Sequence, residues 1–254
     1  MNRRVFLGTA GSLASVGTLA YATREPTVTL EIRVWLSEHA ASYGGVTDRI
    51  QEYLERIFDL EHWSLAVSSG GAVDVSTENG AAVTSGGEWP AALASGAIGR
   101  RDLSPVSDVN LLVTDGQMEA APTGYGIPHI ASVGGAKHIA ALDSFDDLFS
   151  SPEADADRWI VPNGRPSRTI QILTHEVGHA LGLQHDHGVA YRYGDAIVAS
   201  PMLSSYAWSS DYDDDGSRCG TNYPDPADLD RKLSLAFSPC ARRELAEYSG
   251  GFLP

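Results

Sequence analysis

Residues 175–185 read HEVGHALGLQH. His175 and His179 stand four apart, so on a helix their rings leave one face a turn apart, the spacing of two nitrogen ligands on a metal. Glu176 follows the first of them, where its carboxylate can act as a general base on water. Gly182 can take the backbone conformation that lets a chain leave a helix sharply, and His185 then swings back as a third nitrogen donor. Three neutral imidazoles with a fourth position left open make a catalytic rather than a structural zinc site. At this composition the five fixed positions would fall together by chance in about 4 of 100,000 sequences. A buried helix with merely hydrogen-bonded histidines is therefore the weaker reading.

Several elements must position this string. Residues 27–37 are rich in β-branched and apolar residues and predict a strand, and 46–60 follow a helical period with Ile50, Tyr53, Leu54, Ile57 and Phe58 on one face. Short strands are expected at 63–67 and 72–75 around Ser69-Gly70-Gly71. The Gly/Ser/Ala-rich stretch 76–107 predicts a loop with a short helix at 89–97. Residues 108–114 (DVNLLVT) predict a buried strand and 127–133 another, with 136–142 extending the sheet. The acidic stretch 143–157 predicts loop with one helical turn. Ser167 can cap a helix carrying Ile170, Leu173, Val177 and Leu181 inward. After Gly182 the chain reads as irregular, with a last helix over 241–248. Strands and helices interleave, which predicts an α/β or α+β fold around one sheet, without repeats or a long linker.

The charge balance limits the partners. The chain has 254 residues, 33 Asp plus Glu against 18 Lys plus Arg, and a net charge of −15. Such a surface repels nucleic acid, so no nucleic-acid partner is expected. Lys137 and Lys232 are the only lysines. Abundant Asp with scarce Lys resembles the proteins of extreme halophiles, most often archaeal. With 43% hydrophobic residues the chain is globular, and beyond its N-terminus no apolar run is long enough for a polytopic membrane protein.

The first 22 residues, MNRRVFLGTAGSLASVGTLAYA, resemble a twin-arginine export signal. Arg3-Arg4 precede a mildly apolar stretch, and Ala20-Tyr21-Ala22 fits a cleavage site. Cleavage would take the charge to −17 and leave no stable membrane insertion. The expectation is a secreted protein. Export makes a disulfide between Cys219 and Cys240 permissible, worth roughly 3 kcal/mol in the chain-entropy model; two free thiols are the alternative.

The extended motif HExxHxxGxxH, as it stands from His175 to His185, resembles that of the metzincin clan of zinc endopeptidases. Asp186 after the third histidine is similar to the adamalysin (reprolysin) branch, as is Phe237-Ser238-Pro239-Cys240 leading into 242–253. The stretches 108–114 and 124–135 resemble the clan's central strand and substrate-binding edge strand. The resemblance implies an α+β fold of α/β type: a twisted mixed sheet with an edge strand for substrate, an active-site helix, and a small irregular C-terminal subdomain ending in a helix. It divides the chain into a signal (1–22), an N-terminal catalytic subdomain (23–185) and a C-terminal one (186–254).

The resemblance further implies one catalytic Zn2+ on His175, His179 and His185, with Glu176 as general base. Met202 would be the methionine of a tight turn beneath the metal. Leu203, Tyr206 and Trp208 would wall the pocket beside the cleaved bond. Tyr206 lies four residues beyond Met202, not the two of metal-binding tyrosines in the clan. The branch links its FSxC cysteine to one after the edge strand, but 124–140 has none, which points Cys240 to Cys219. No cysteine precedes the motif to block the metal, and no sizeable pro-segment fits between Ala22 and the first strand.

Asp211, Asp213 and Asp215, with Gly216, match the first half of a calcium loop, although Asn222 stands at its twelfth position. A solvated acidic run is the other reading. His187 reads as a solvated loop histidine, and His39, His62 and His138 as structural. His129 can face the cleft or the core.

These residues predict a secreted, monomeric zinc endopeptidase whose substrates are proteins or peptides, laid along the edge strand near 127–133. The alternatives are a non-catalytic binding module of the same fold and a zinc amidase or deacetylase acting on small substrates.

Overall fold

The computed structural model describes residues 29–118, 123–208, 218–219 and 229–250. The signal at 1–22, the acidic run with Asp211, Asp213 and Asp215, and the side chain of Tyr206 lie outside them.

Five strands form the first sheet: β1 (Thr29–Ser37), β2 (Ser64–Val73), β3 (Val109–Val113), β4 (Gly124–Ile127) and β5 (Ile130–Val133), in the order β2-β1-β3-β5-β4. All neighbours are parallel except β4, which runs antiparallel to β5 at the end of the sheet. Period-two alternation explains its two buried faces. Ile32, Val34, Val109, Leu111 and Val133 point into the main core, whereas Trp35, Leu112 and Ile130 point the other way. Full burial of Ile32 or Leu111 contributes about 1.5–3 kcal/mol each.

Helices cover both faces. The main core is closed by α2 (Val46–Ile57), which buries the expected Ile50, Tyr53, Leu54 and Ile57, and by the long helix α7 (Arg165–Ala180). Before α2 comes the short α1 (Glu38–Ala41). The opposite face receives α3 (Gly80–Ser85) and α4 (Glu88–Ala97), whose Val83, Trp89 and Leu93 meet Trp35 and Leu112. One helix was expected in that loop and two are present. Likewise 136–142 does not extend the sheet. It forms α5 (Ala136–Ala140), which Gly135 starts at φ +82. The one helical turn expected in 143–157 is α6 (Phe145–Phe149), capped by Ser144.

The two strands expected at 63–67 and 72–75 are one, β2. A register shift between Val34 and Trp35 absorbs the irregularity at Gly70-Gly71. Gly71 lies at φ +90, and the Trp35 ring occupies the space where a side chain on Gly70 would be.

A second sheet occupies the region that the sequence left irregular. Its strands are β6 (Ile160–Pro162), β7 (Ala190–Tyr193), β8 (Ala196–Ala199) and β9 (Asp230–Ser234), in the order β6-β9-β8-β7. It crosses the boundary expected at 185, because β6 precedes the motif and pairs with β9. The last helix, α8 (Pro239–Ala246), starts at the Ser238 cap and buries Ala241 and Leu245. Around it, Phe237 meets Phe58, and the Tyr248 hydroxyl donates to Asp108 at 3.2 Å. Cys219 and Cys240 are joined in a disulfide. Among the described residues no helix is long and apolar enough to cross a membrane.

Candidate metal centre and active site

The site is built on α7 (Arg165–Ala180). Its cap is Gly164 and Pro166 sits in its first turn; Ser167, expected as the cap, is buried inside the helix. Residues 169–178 are all buried because α7 lies between the two sheets. The amide of Gln171 fastens it to the second sheet, donating to the Ala199 carbonyl at 2.9 Å and the Ser234 carbonyl at 2.8 Å.

The helix ends in a Schellman motif. Leu183 N–H donates to the Gly178 carbonyl and Gly182 N–H to that of His179, with Gly182 at φ +93. This reversal carries the chain into a tight turn, His185–His187, and returns His185 toward the helix.

The three rings converge. Their centroids are 4.5 Å (His175–His179), 5.1 Å (His175–His185) and 4.8 Å (His179–His185) apart. One nitrogen from each lies within 4.8 Å of the other two, so the triad can hold a metal ion. The tautomers fit that role. His175 Nδ1–H donates to the Pro201 carbonyl and His179 Nδ1–H to the Leu183 carbonyl, each at 2.8 Å. Both protons are thereby committed on the outer nitrogens. The two Nε2 atoms face each other at 3.0 Å as lone pairs, an approach that a cation between them would make favourable.

Burial keeps the ligands neutral. It pulls His175 down to about 3, with His179 adding to the effect, and it lowers His179 and His185 as well. Glu176 is also buried, and desolvation pushes its carboxyl up to about 8.

That carboxyl rests on the edge strand, and two glycines make room for it. A Cβ on Gly124 would stand 2.7 Å from Glu176 Oε1, and one on Gly126 would stand 2.6 Å from the Glu176 carbonyl oxygen. The edge is β4, at 124–127; the stretch 127–133, expected to be the edge, instead runs through a turn into the inner strand β5. The roles of Gly124, Gly126 and Gln171 are not among the sequence expectations, although the alternation GYG on a strand signals a close backbone approach. His129 sits in the turn at φ +68, its backbone N–H donating to the Ala180 carbonyl at the end of α7.

Met202 lies beneath the helix. A Cβ on Gly178 would stand 2.5 Å from its sulfur. Leu203 is fully buried with Ala190, Ile197, Ala199 and Ala207, in core rather than cleft surroundings. Trp208 is half-buried, with the Arg231 guanidinium 5.7 Å from its ring. His187 is buried rather than solvated, and it accepts the Gln184 N–H on Nδ1 at 2.8 Å.

No protein-family model matches this chain, and no curated protein does. Among solved structures, the chain is similar to archaemetzincin from Methanopyrus kandleri, at 15% identity and a TM-score of 0.40, over 85% of this chain and 93% of that one.

Proposed function

We propose that this protein is a zinc-dependent endopeptidase. The observation that carries the reading is the convergence of three neutral imidazoles beside a buried carboxylate that lies against a sheet edge. Three histidines with the fourth position open suit zinc in its catalytic form. Bound there, zinc would supply Lewis acidity, polarising a carbonyl and acidifying water.

The chain's own residues supply the rest. The outer edge of β4 ends the sheet among the described residues, so an extended peptide can pair with it as a further antiparallel strand. That pairing lays the peptide beside Glu176, which touches β4 at Gly124 and Gly126. Glu176 takes the proton from the attacking water and returns it to the leaving amine. Its surroundings oppose one another usefully: burial favours the acid, whereas a cation on the adjacent imidazoles favours the carboxylate. The buried Pro201 and Leu183 carbonyls keep the rings aimed.

Export through the segment 1–22 belongs to the same reading. The Cys219–Cys240 disulfide is compatible with an oxidising compartment. The test is digestion of casein and a peptide library in high salt, with and without a chelator. Internal cleavage that the chelator stops and zinc restores is expected. Intact substrate from zinc-loaded, folded protein would overturn the proposal.

A further inference from the structure

His175 and His179 are set by α7, but His185 is not. It sits on the three-residue turn His185–His187 and is the exposed member of the triad. The C-terminal part of the chain grips that turn at two places. Arg218 holds Asp186 twice: its Nε donates to Asp186 Oδ2 at 2.8 Å, and its backbone N–H donates to the Asp186 carbonyl at 2.9 Å. On the other side, the Ser238 hydroxyl donates to the His187 carbonyl at 2.9 Å while capping α8 through the Ala241 N–H. Cys219 follows Arg218, Cys240 lies two residues after Ser238, and the two are bonded. A closed ring of contacts results, running from Asp186 through Arg218 and the disulfide to Ser238 and back to His187.

The disulfide matters because the grip of Arg218 is exposed. Its side chain is 61% accessible, and an ion pair so placed holds little by itself. Tethering Arg218 to the start of α8 raises its effective concentration at Asp186. Only then is the turn restrained from both sides.

We propose that Arg218 and the Cys219–Cys240 disulfide are positioning residues for the third metal ligand, so that the metal affinity of the site depends on the redox state of this disulfide. The inference rests on the triad being a metal site, as argued above. Reduction by a dithiol breaks the S–S bond, leaves thiols on Cys219 and Cys240, and oxidises the reductant to its own disulfide. In a reducing compartment the chain then binds metal weakly, and oxidation locks His185 in place.

The test is chelator competition for zinc, together with the visible spectrum of the cobalt-loaded protein. It compares oxidised wild type, reduced wild type, the Cys219→Ser/Cys240→Ser double variant, Arg218→Gln and Arg218→Lys. The expected result is a zinc Kd about 10–100-fold higher in the reduced, double-serine and Arg218→Gln forms, the size typical of outer-sphere changes. The cobalt bands should shift in the same forms, with recovery in Arg218→Lys. Tyr248→Phe, which removes a hydrogen bond elsewhere, controls for general loosening and should leave both readouts unchanged. Should the serine variant fail to fold, Arg218→Gln with its disulfide intact decides. Unchanged affinity and spectrum in folded, reduced protein and in Arg218→Gln would overturn the inference. If oxidised wild type binds no zinc, the failure lies instead with the metal-site reading.

Discussion

Gly126 and His179 are so close that a Cβ on the glycine would stand 2.6 Å from the Cβ of the histidine. The edge strand and the metal helix therefore touch backbone to side chain, with no room for a methyl group. Gly126→Ala should push β4 away from α7 and cost about 1–3 kcal/mol in stability, as overpacked sites do. On the proposed function, peptide cleavage should fall at least tenfold, because the strand that would align the substrate is the element that moves. Thermal melts and kcat/KM measure both; a variant with unchanged activity would dissociate strand position from catalysis.

Gly178 and Met202 offer a paired test. Gly178→Ala drives a methyl group toward the Met202 sulfur, 2.5 Å from where its Cβ would stand, and should destabilise by about 1–3 kcal/mol. Met202→Ala opens a buried space and should cost about 2–5 kcal/mol. In the double variant the new methyl group meets that space, so the combined loss should be smaller than the sum. A strictly additive result would show that the two groups do not share their volume.

Glu176→Gln should retain fold and zinc but lose cleavage by several orders of magnitude. The same variant isolates a pH effect in metal-free protein. Burial lets Glu176 keep its proton in the folded state up to about 8, against the 4.5 ordinary for a solvated glutamate in the unfolded chain. The wild type is therefore progressively destabilised as pH rises from 4.5 to 8, by an amount on the order of a few kcal/mol. The glutamine variant lacks this slope, and any titration of His175 is common to both proteins. Denaturant titrations across that window should show the variant gaining on the wild type; parallel curves would contradict the burial of an ionisable acid.

On the proposed function, zinc should stabilise the protein, because the three imidazoles converge only in the folded chain. At a thousandfold excess over Kd, linkage gives about 4 kcal/mol. Stripping with a chelator should lower the melting temperature, and zinc should restore it. A melting temperature indifferent to both would mean that the facing Nε2 atoms of His175 and His179 do not hold a cation.

Salt should act in the opposite direction to its effect on ordinary surface pairs. With a net charge of −15, carboxylate repulsion dominates in dilute buffer and is screened in brine. The melting temperature should rise from low to multimolar salt, and a flat profile would count against a halophilic surface.

The metal helix and α2 were legible in the sequence from their helical period, and the central strand from its nearly continuous apolar run. Val109–Val113 is apolar but for Asn110 and is buried throughout. The second sheet was not legible. Its strands are three to five residues long, Asp230–Ser234 opens on three polar residues, and its pairing joins residues some 70 apart. The substrate edge was expected near 127–133 rather than at 124–127 because the two glycines of GYGI carry little strand propensity. Its glycines answer to the helix beneath them rather than to strand propensity. The burial of His187 was invisible for the same reason, since its partners come from Gln184 and from the C-terminal helix.

The order β6-β9-β8-β7 puts the last strand among the described residues in the middle of its sheet. During synthesis, α7 can form with two histidines in register while β6 and β8 still lack the strand that joins them. The floor beneath the helix closes only when Asp230–Ser234 has emerged and inserted. Until that strand is in place, the floor beneath the two helix-borne histidines stays incomplete.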